Sequence, residues 1–196
     1  MRRILFIVSA LLFGFVLGGG SGIWVLGQGQ LIGGYQVNGW LGNRLTGSTA
    51  ADPYTRAIVA KVGILALNRE ETIYFTRYND DAGERFREGC SYKITGEALP
   101  ARWWSITIYA QDDFLPVNGE DADSLEGASL ASSPSGRFEA EVSLARSGAT
   151  HWMSSKNAGA FVLGIRMYNP SPSAIENVAT IPLPQVRNVG CKGAAS

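Results

Sequence analysis

Trp103-Trp104-Ser105-Ile106-Thr107-Ile108-Tyr109 decides the fold. Side chains alternate across a strand, so Trp104, Ile106 and Ile108 face one way and Trp103, Ser105, Thr107 and Tyr109 the other. β-branched and aromatic residues fill the stretch, as suits a half-buried pleated surface. Leu99 and Pro100 lead into it. The period of two recurs downstream, where Arg137 to Leu144 sets Phe138, Ala140, Val142 and Leu144 against Arg137, Glu139, Glu141 and Ser143. Phe161 to Tyr168 repeats it with Phe161, Leu163, Ile165 and Met167. Upstream, Thr72 to Tyr78 and Ser91 to Thr95 are strand candidates, with turn residues Asn79, Asp80, Asp81 and Gly83 between them. Pro182 and Pro184 confine Ile181 to Val189 to an edge strand or extended tail.

One helix precedes the strands. Asp52 is a capping side chain and Pro53 fits the first helical position. Tyr54, Ile58, Val62 and Leu65 form one apolar stripe, and Asn68 is a stop, so a helix is predicted over Pro53 to Leu67. Short strands behind one leading helix predict a mainly β fold, a β-sandwich of jelly-roll type.

Ahead of this lies a different kind of sequence. Arg2 and Arg3 are followed by Ile4 to Leu26 without a charge. As a helix that run measures roughly 35 Å, enough for a ~30 Å hydrocarbon core. The arginines belong on the cytoplasmic side and Trp24 at the far interface. The expected arrangement is a single-pass inner-membrane protein with its N-terminus inside and its C-terminal domain in the periplasm. A cleavable signal peptide is the competing reading, because Ile4 to Val16 has h-region length and Gly18 and Gly20 give a small-x-small pattern. Gly14, Gly18 and Gly22 share a helix face that fits a homodimer contact, although glycine is common in such helices anyway. The expected division is residues 1–26 as anchor, 27–51 as a Gly-rich linker outside the core, and 52–196 as the β domain.

Several separated landmarks resemble a known family. They are Leu67-Asn68-Arg69-Glu70-Glu71-Thr72-Ile73-Tyr74, Asp80-Asp81-Ala82-Gly83, and Leu99-Pro100-Ala101-Arg102 running into the stretch quoted above. Trp152 ahead of Phe161 to Tyr168-Asn169-Pro170, and Leu183-Pro184-Gln185-Val186, complete the set. In this order, from about Asp52 onward, they resemble the domain of unknown function family 1214. The resemblance implies a jelly-roll-like sandwich and no particular chemistry. Larger members carry this domain after one of the related family 1254, so a separate chain of that family is an implied partner.

The chain of 196 residues has 17 basic and 17 acidic residues and no basic stripe, which argues against nucleic-acid binding. Cys90 and Cys191 are too far apart for a C-x-x-C pair; a disulfide and two free thiols both stay open. His151 is the only histidine, beside Trp152, and no Gly-x-Ser-x-Gly elbow accompanies it. Acids cluster at Asp80, Asp81 and Glu84, at Asp112 and Asp113, and from Glu120 to Glu126. Their spacing matches no EF-hand, and solvated turns explain them as well. No metal or cofactor is expected. Arg102 with Trp103 suits stacking on a sugar or pairing with an acidic group. The candidate binding residues are therefore Arg102, Trp103, Asp80, Asp81, His151 and Trp152. The expected function is a membrane-anchored module binding a partner protein, glycan or lipid. The alternative is an envelope hydrolase built on Asp80, Asp81 and Asp113 with His151 as base.

Overall fold

The computed structural model describes residues 2–28, 34–61, 66–132 and 135–191. The decisive stretch forms β5 (Ala101–Tyr109). It pairs antiparallel along its length with β9 (Val162–Pro170), in a six-stranded sheet where β9 lies fourth and β5 fifth. β3 (Thr72–Arg77) flanks β9, followed outward by β2 (Trp40–Asn43) and β1 (Gly34–Val37). β6 (Ser124–Glu126) closes the other edge. The second sheet has four strands in the order β10 (Gln185–Cys191), β4 (Cys90–Glu97), β7 (Arg137–Ser143) and β8 (Trp152–Ser154). Its pairings are antiparallel except β7 with β8, which is parallel.

The alternation read from sequence places the core. Trp104, Ile106 and Ile108 are buried with Ile73, Phe75, Leu163, Ile165 and Met167 from the six-stranded sheet. They share one hydrophobic cluster with Tyr92, Ile94, Phe138, Ala140, Val142, Met153 and Val186 from the other sheet. Trp104 and Phe138 meet across the two sheets at 5.5 Å between ring centroids. Gly127 opens α3 (Gly127–Leu130), and there is no room for a side chain at that position. A Cβ there would stand 2.3 Å from the Trp104 indole.

Three expectations need correction. The stretch 27–51 is not a linker outside the core, because it supplies the β1–β2 hairpin. Trp40 from that hairpin is fully buried, with its indole N–H donating to the Pro184 carbonyl at 2.8 Å. Asn38 and Gly39 turn the hairpin with φ of 48° and 79°, values at which Asn and Gly are the least strained residues. Leu31 and Ile32 lie outside the described residues.

The leading helix is also shorter than expected. α2 (Pro53–Lys61) buries Thr55 and Ile58, while Tyr54 is partly exposed. Val62 and Leu65 lie outside the described residues. Leu67 is not helical; its amide donates to the Tyr74 hydroxyl at 3.0 Å instead of continuing a helical ladder. At the start, Asp52 accepts from the Tyr54 and Thr55 amides and the Thr55 hydroxyl, as its capping role requires.

Leu144 falls beyond β7, and Ser143 takes the buried place, held by a hydrogen bond to Glu141. Trp152 begins β8, and His151 stands in the bend just ahead of it, its carbonyl accepting from Glu141 N–H at 2.9 Å.

Ahead of the body runs α1 (Arg2–Gln28). Arg2–Trp24 is long and apolar enough to cross a membrane, as an anchor or as a signal sequence. Nothing stands within 4 Å of Cβ positions built on Gly14, Gly18 and Gly22.

Replacing Trp40 with alanine leaves a large cavity and removes the shorter of the two hydrogen bonds to the Pro184 carbonyl. We expect Trp40→Ala to cost about 3–5 kcal/mol of stability in urea unfolding of the chain. A peripheral linker residue would cost under about 0.5 kcal/mol.

Candidate functional site

Arg77 ends β3 on the core side and is almost fully buried. A buried guanidinium needs partners on every N–H. Its Nε donates to the Asn79 carbonyl at 2.7 Å, and one terminal nitrogen meets Asp81 Oδ1 at 2.6 Å. The other reaches the Pro184 carbonyl at 3.4 Å, and the group lies over the Trp40 ring at 5.8 Å. Asp81 Oδ1 also accepts from Val186 N–H at 3.1 Å, while Asp81 N–H donates to the Val186 carbonyl at 2.8 Å.

Asp80 is buried and accepts from the Ala82 and Glu84 amides at 2.9 Å, closing the turn around Gly83. Both carboxylates that the sequence offered as site residues therefore hold the turn and the start of β10.

The outer face of the six-stranded sheet is different. It opens into a groove of about 1250 Å³. Tyr74, Tyr78, Tyr109 and Arg166 line it, flanked by α2 on one side and Gln111 to Phe114 on the other. Tyr109 lies over Gly164, where a Cβ would come within 3.0 Å of its ring. Arg166 donates to the Tyr109 hydroxyl at 2.6 Å and stands 5.7 Å from its ring centroid. Arg85 sits 5.0 Å from the Tyr78 ring centroid. Asp112 and Asp113 line the same groove. Burial pushes the phenols of Tyr78 and Tyr109 above their ordinary value of 10.0; Asp113 adds to the rise at Tyr78, whereas Arg166 opposes it at Tyr109.

The remaining sequence candidates lie elsewhere. Arg102 is exposed and Trp103 is 39% exposed; Trp103 leans on Tyr168, with ring centroids 5.2 Å apart. Trp103 lies at the other end of β5 from the groove, paired in register with Tyr168, whereas Tyr109 pairs with Val162. His151 lines a smaller groove on the four-stranded sheet, 3.4 Å from the Ser129 hydroxyl. Trp152 donates to the Ser143 hydroxyl at 3.0 Å. His151 and the carboxylates of Asp80, Asp81 and Asp113 thus line different grooves and do not form one constellation. Among the described residues, no group of three or more His, Cys, Asp or Glu is placed to hold a metal ion. Cys90 and Cys191, register partners of β4 and β10, sit at disulfide bonding distance, 2.03 Å between sulfurs.

Sequence reasoning missed Tyr74, Tyr78, Arg85 and Arg166. The signal was available for Arg166: it lies between the core residues Ile165 and Met167, so it faces outward beside Tyr109.

Comparison with known proteins follows the same outline. A family described as a protein of unknown function (DUF1214) matches residues 71–172. The VPA0106 protein from Vibrio parahaemolyticus has a similar crystal structure. The TM-score is 0.57 at 20% identity, over 72% of this chain and 36% of that one. A putative uncharacterized protein from Burkholderia cenocepacia aligns with a TM-score of 0.44 at 11% identity, over 60% of this chain and 29% of that one. The chain spans only about a third of the length of these solved structures. No curated protein matches it in sequence.

Tyr35, Tyr78, Tyr92 and Tyr109 all have phenols raised by burial above 10.0. A raised folded-state value favours the folded state while the phenol is protonated. That contribution is full below about pH 10 and is lost as pH rises through the folded values. Absorbance titration is expected to show these tyrosines ionising late, with stability to urea falling steeply above about pH 10.

Proposed function

The chain belongs to the DUF1214 family of proteins of unknown function, and from that premise we propose a membrane-anchored binding module outside the cytoplasm. The observation that carries this reading is α1. Its apolar span covers 23 residues and is not buried against the β domain, so a bilayer is the partner that its surface suits. Arg2 and Arg3 orient it, with the N-terminus inside and the β domain in the periplasm. We read the two-sheet body as a jelly-roll type sandwich, supported by pairings between strands distant in the chain, such as β3 with β9 and β4 with β10.

The ligand surface is the groove on the outer face, and the ligand is an envelope glycan. Sugars present C–H faces that stack on aromatic rings and hydroxyl edges that bond charged groups. Tyr74, Tyr78 and Tyr109 supply rings, and Arg85, Arg166, Asp112 and Asp113 supply donors and acceptors. Two partner readings accompany this one. A second copy fits the small-residue face of Gly14, Gly18 and Gly22. A separate chain of the related family 1254 suits a chain that spans a third of its longer structural neighbours.

Two measurements test the proposal. Protease treatment of intact spheroplasts is expected to degrade the domain while leaving the α1 fragment with the membrane; a protected domain contradicts the topology. Titration of the detergent-solubilised chain with purified peptidoglycan fragments is expected to show saturable binding. Tyr109→Ala is expected to weaken it about tenfold, in line with the loss of one stacked ring. Binding unchanged by that substitution contradicts the groove.

A further inference from the structure

The loop after β5 displays an apolar tip that the body leaves uncovered. Phe114 is 72% exposed, Leu115 50% and Val117 88%. Large apolar side chains grouped in this way mark an interaction site more often than an ordinary surface. The tip is also held in place. Ala110 N–H donates to the Phe114 carbonyl at 2.7 Å, and Gln111 N–H to the Ala158 carbonyl at 3.1 Å. The Asn157 amide holds the Val117 carbonyl at 2.8 Å, and Asn118 bonds Asp123 at 3.1 Å. A loop fixed before binding loses little entropy on docking.

Charge narrows the occupant. From Ala110 to Gly136 the sequence has no Lys or Arg. Asp112, Asp113, Glu120, Asp121 and Asp123 surround the apolar residues in sequence, and the nearby Lys156 is engaged with Glu120. An anionic bilayer surface repels such a rim. A two-fold contact between two copies of the tip sets acid against acid. A protein surface with an apolar pocket edged by Lys and Arg satisfies both features at once.

We propose that the Phe114-Leu115-Pro116-Val117 tip docks into an apolar pocket ringed by basic residues on a second protein. This interface adjoins the groove and shares Asp112, Asp113 and Phe114 with its edge, whereas Leu115 and Val117 stand outside it, and affinity for a second protein is read separately from glycan binding. The test places a photoreactive benzoylphenylalanine at Val117 in the full chain in its own membrane. After irradiation, the adduct is mapped by mass spectrometry, and the cross-linked protein is purified and titrated with the solubilised full chain.

The expected result is one protein adduct, mapped to an apolar surface beside Lys or Arg. Affinity should fall at least tenfold in Phe114→Ser and in the double variant Asp112→Asn with Asp113→Asn, and should fall similarly on raising salt to about 0.5 M. Leu115→Ser serves as a second tip variant, and thermal unfolding midpoints check that each variant is folded. Adducts to lipid only, to a second copy only, or to no protein overturn the proposal, as does an affinity insensitive to salt and to both tip variants.

Discussion

A guanidinium held out of water organises this fold. Arg77 cannot lose its charge, so every donor must find a partner inside the protein. The partners come from separate parts of the chain: Asp81 and Asn79 from the following turn, Pro184 before β10, and the ring of Trp40 from the N-terminal hairpin. Trp40 donates to the same Pro184 carbonyl. One buried charge thus joins β3 and the N-terminal hairpin of the six-stranded sheet to the segment leading into β10, an edge strand of the four-stranded one. Removing a partner leaves an uncompensated buried charge, which is costlier than losing an exposed pair.

The joint separates structure from candidate function. It occupies Asp81, while Asp80 closes the adjoining turn, and the outer sheet face is left as the open surface. There Gly164 lets Tyr109 lie flat and Arg166 fixes its hydroxyl, so a ring is presented in one orientation. Close by, the loop from Gln111 to Asp123 is tied by hydrogen bonds and carries exposed apolar side chains. At the far edge, Cys191 meets Cys90 at the end of the β10–β4 ladder. In the chain-entropy account, linking residues that far apart stabilises by up to ~4–5 kcal/mol.

Much of the core was legible in the sequence because alternation is a local signal. Trp104, Ile106 and Ile108, and Leu163, Ile165 and Met167, are buried as their spacing requires. Asp52 caps α2 as its position before Pro53 implies. The hairpin was harder to see amid glycine and asparagine, although Asn38-Gly39 between two short apolar stretches is a turn signal. β6, β8 and α3 are too short to carry a period. The site was less legible for a different reason. The sequence shows that Asp80 and Asp81 are acids, but not that Asp80 closes its own turn while Asp81 bonds Arg77 and the distant Val186. Conversely, Tyr109 and Arg166 become neighbours only through the β5–β9 register.

Native-state hydrogen exchange on Asp81→Asn tests the role of the buried charge most directly. Loss of the ion pair should lower protection by ~3 kcal/mol, roughly a hundredfold in rate, together at Asp81, at Val186 and in the β1–β2 hairpin. Faster exchange confined to the turn after β3, with the hairpin and β10 as protected as before, would contradict the view that one guanidinium ties these segments into a cooperative unit.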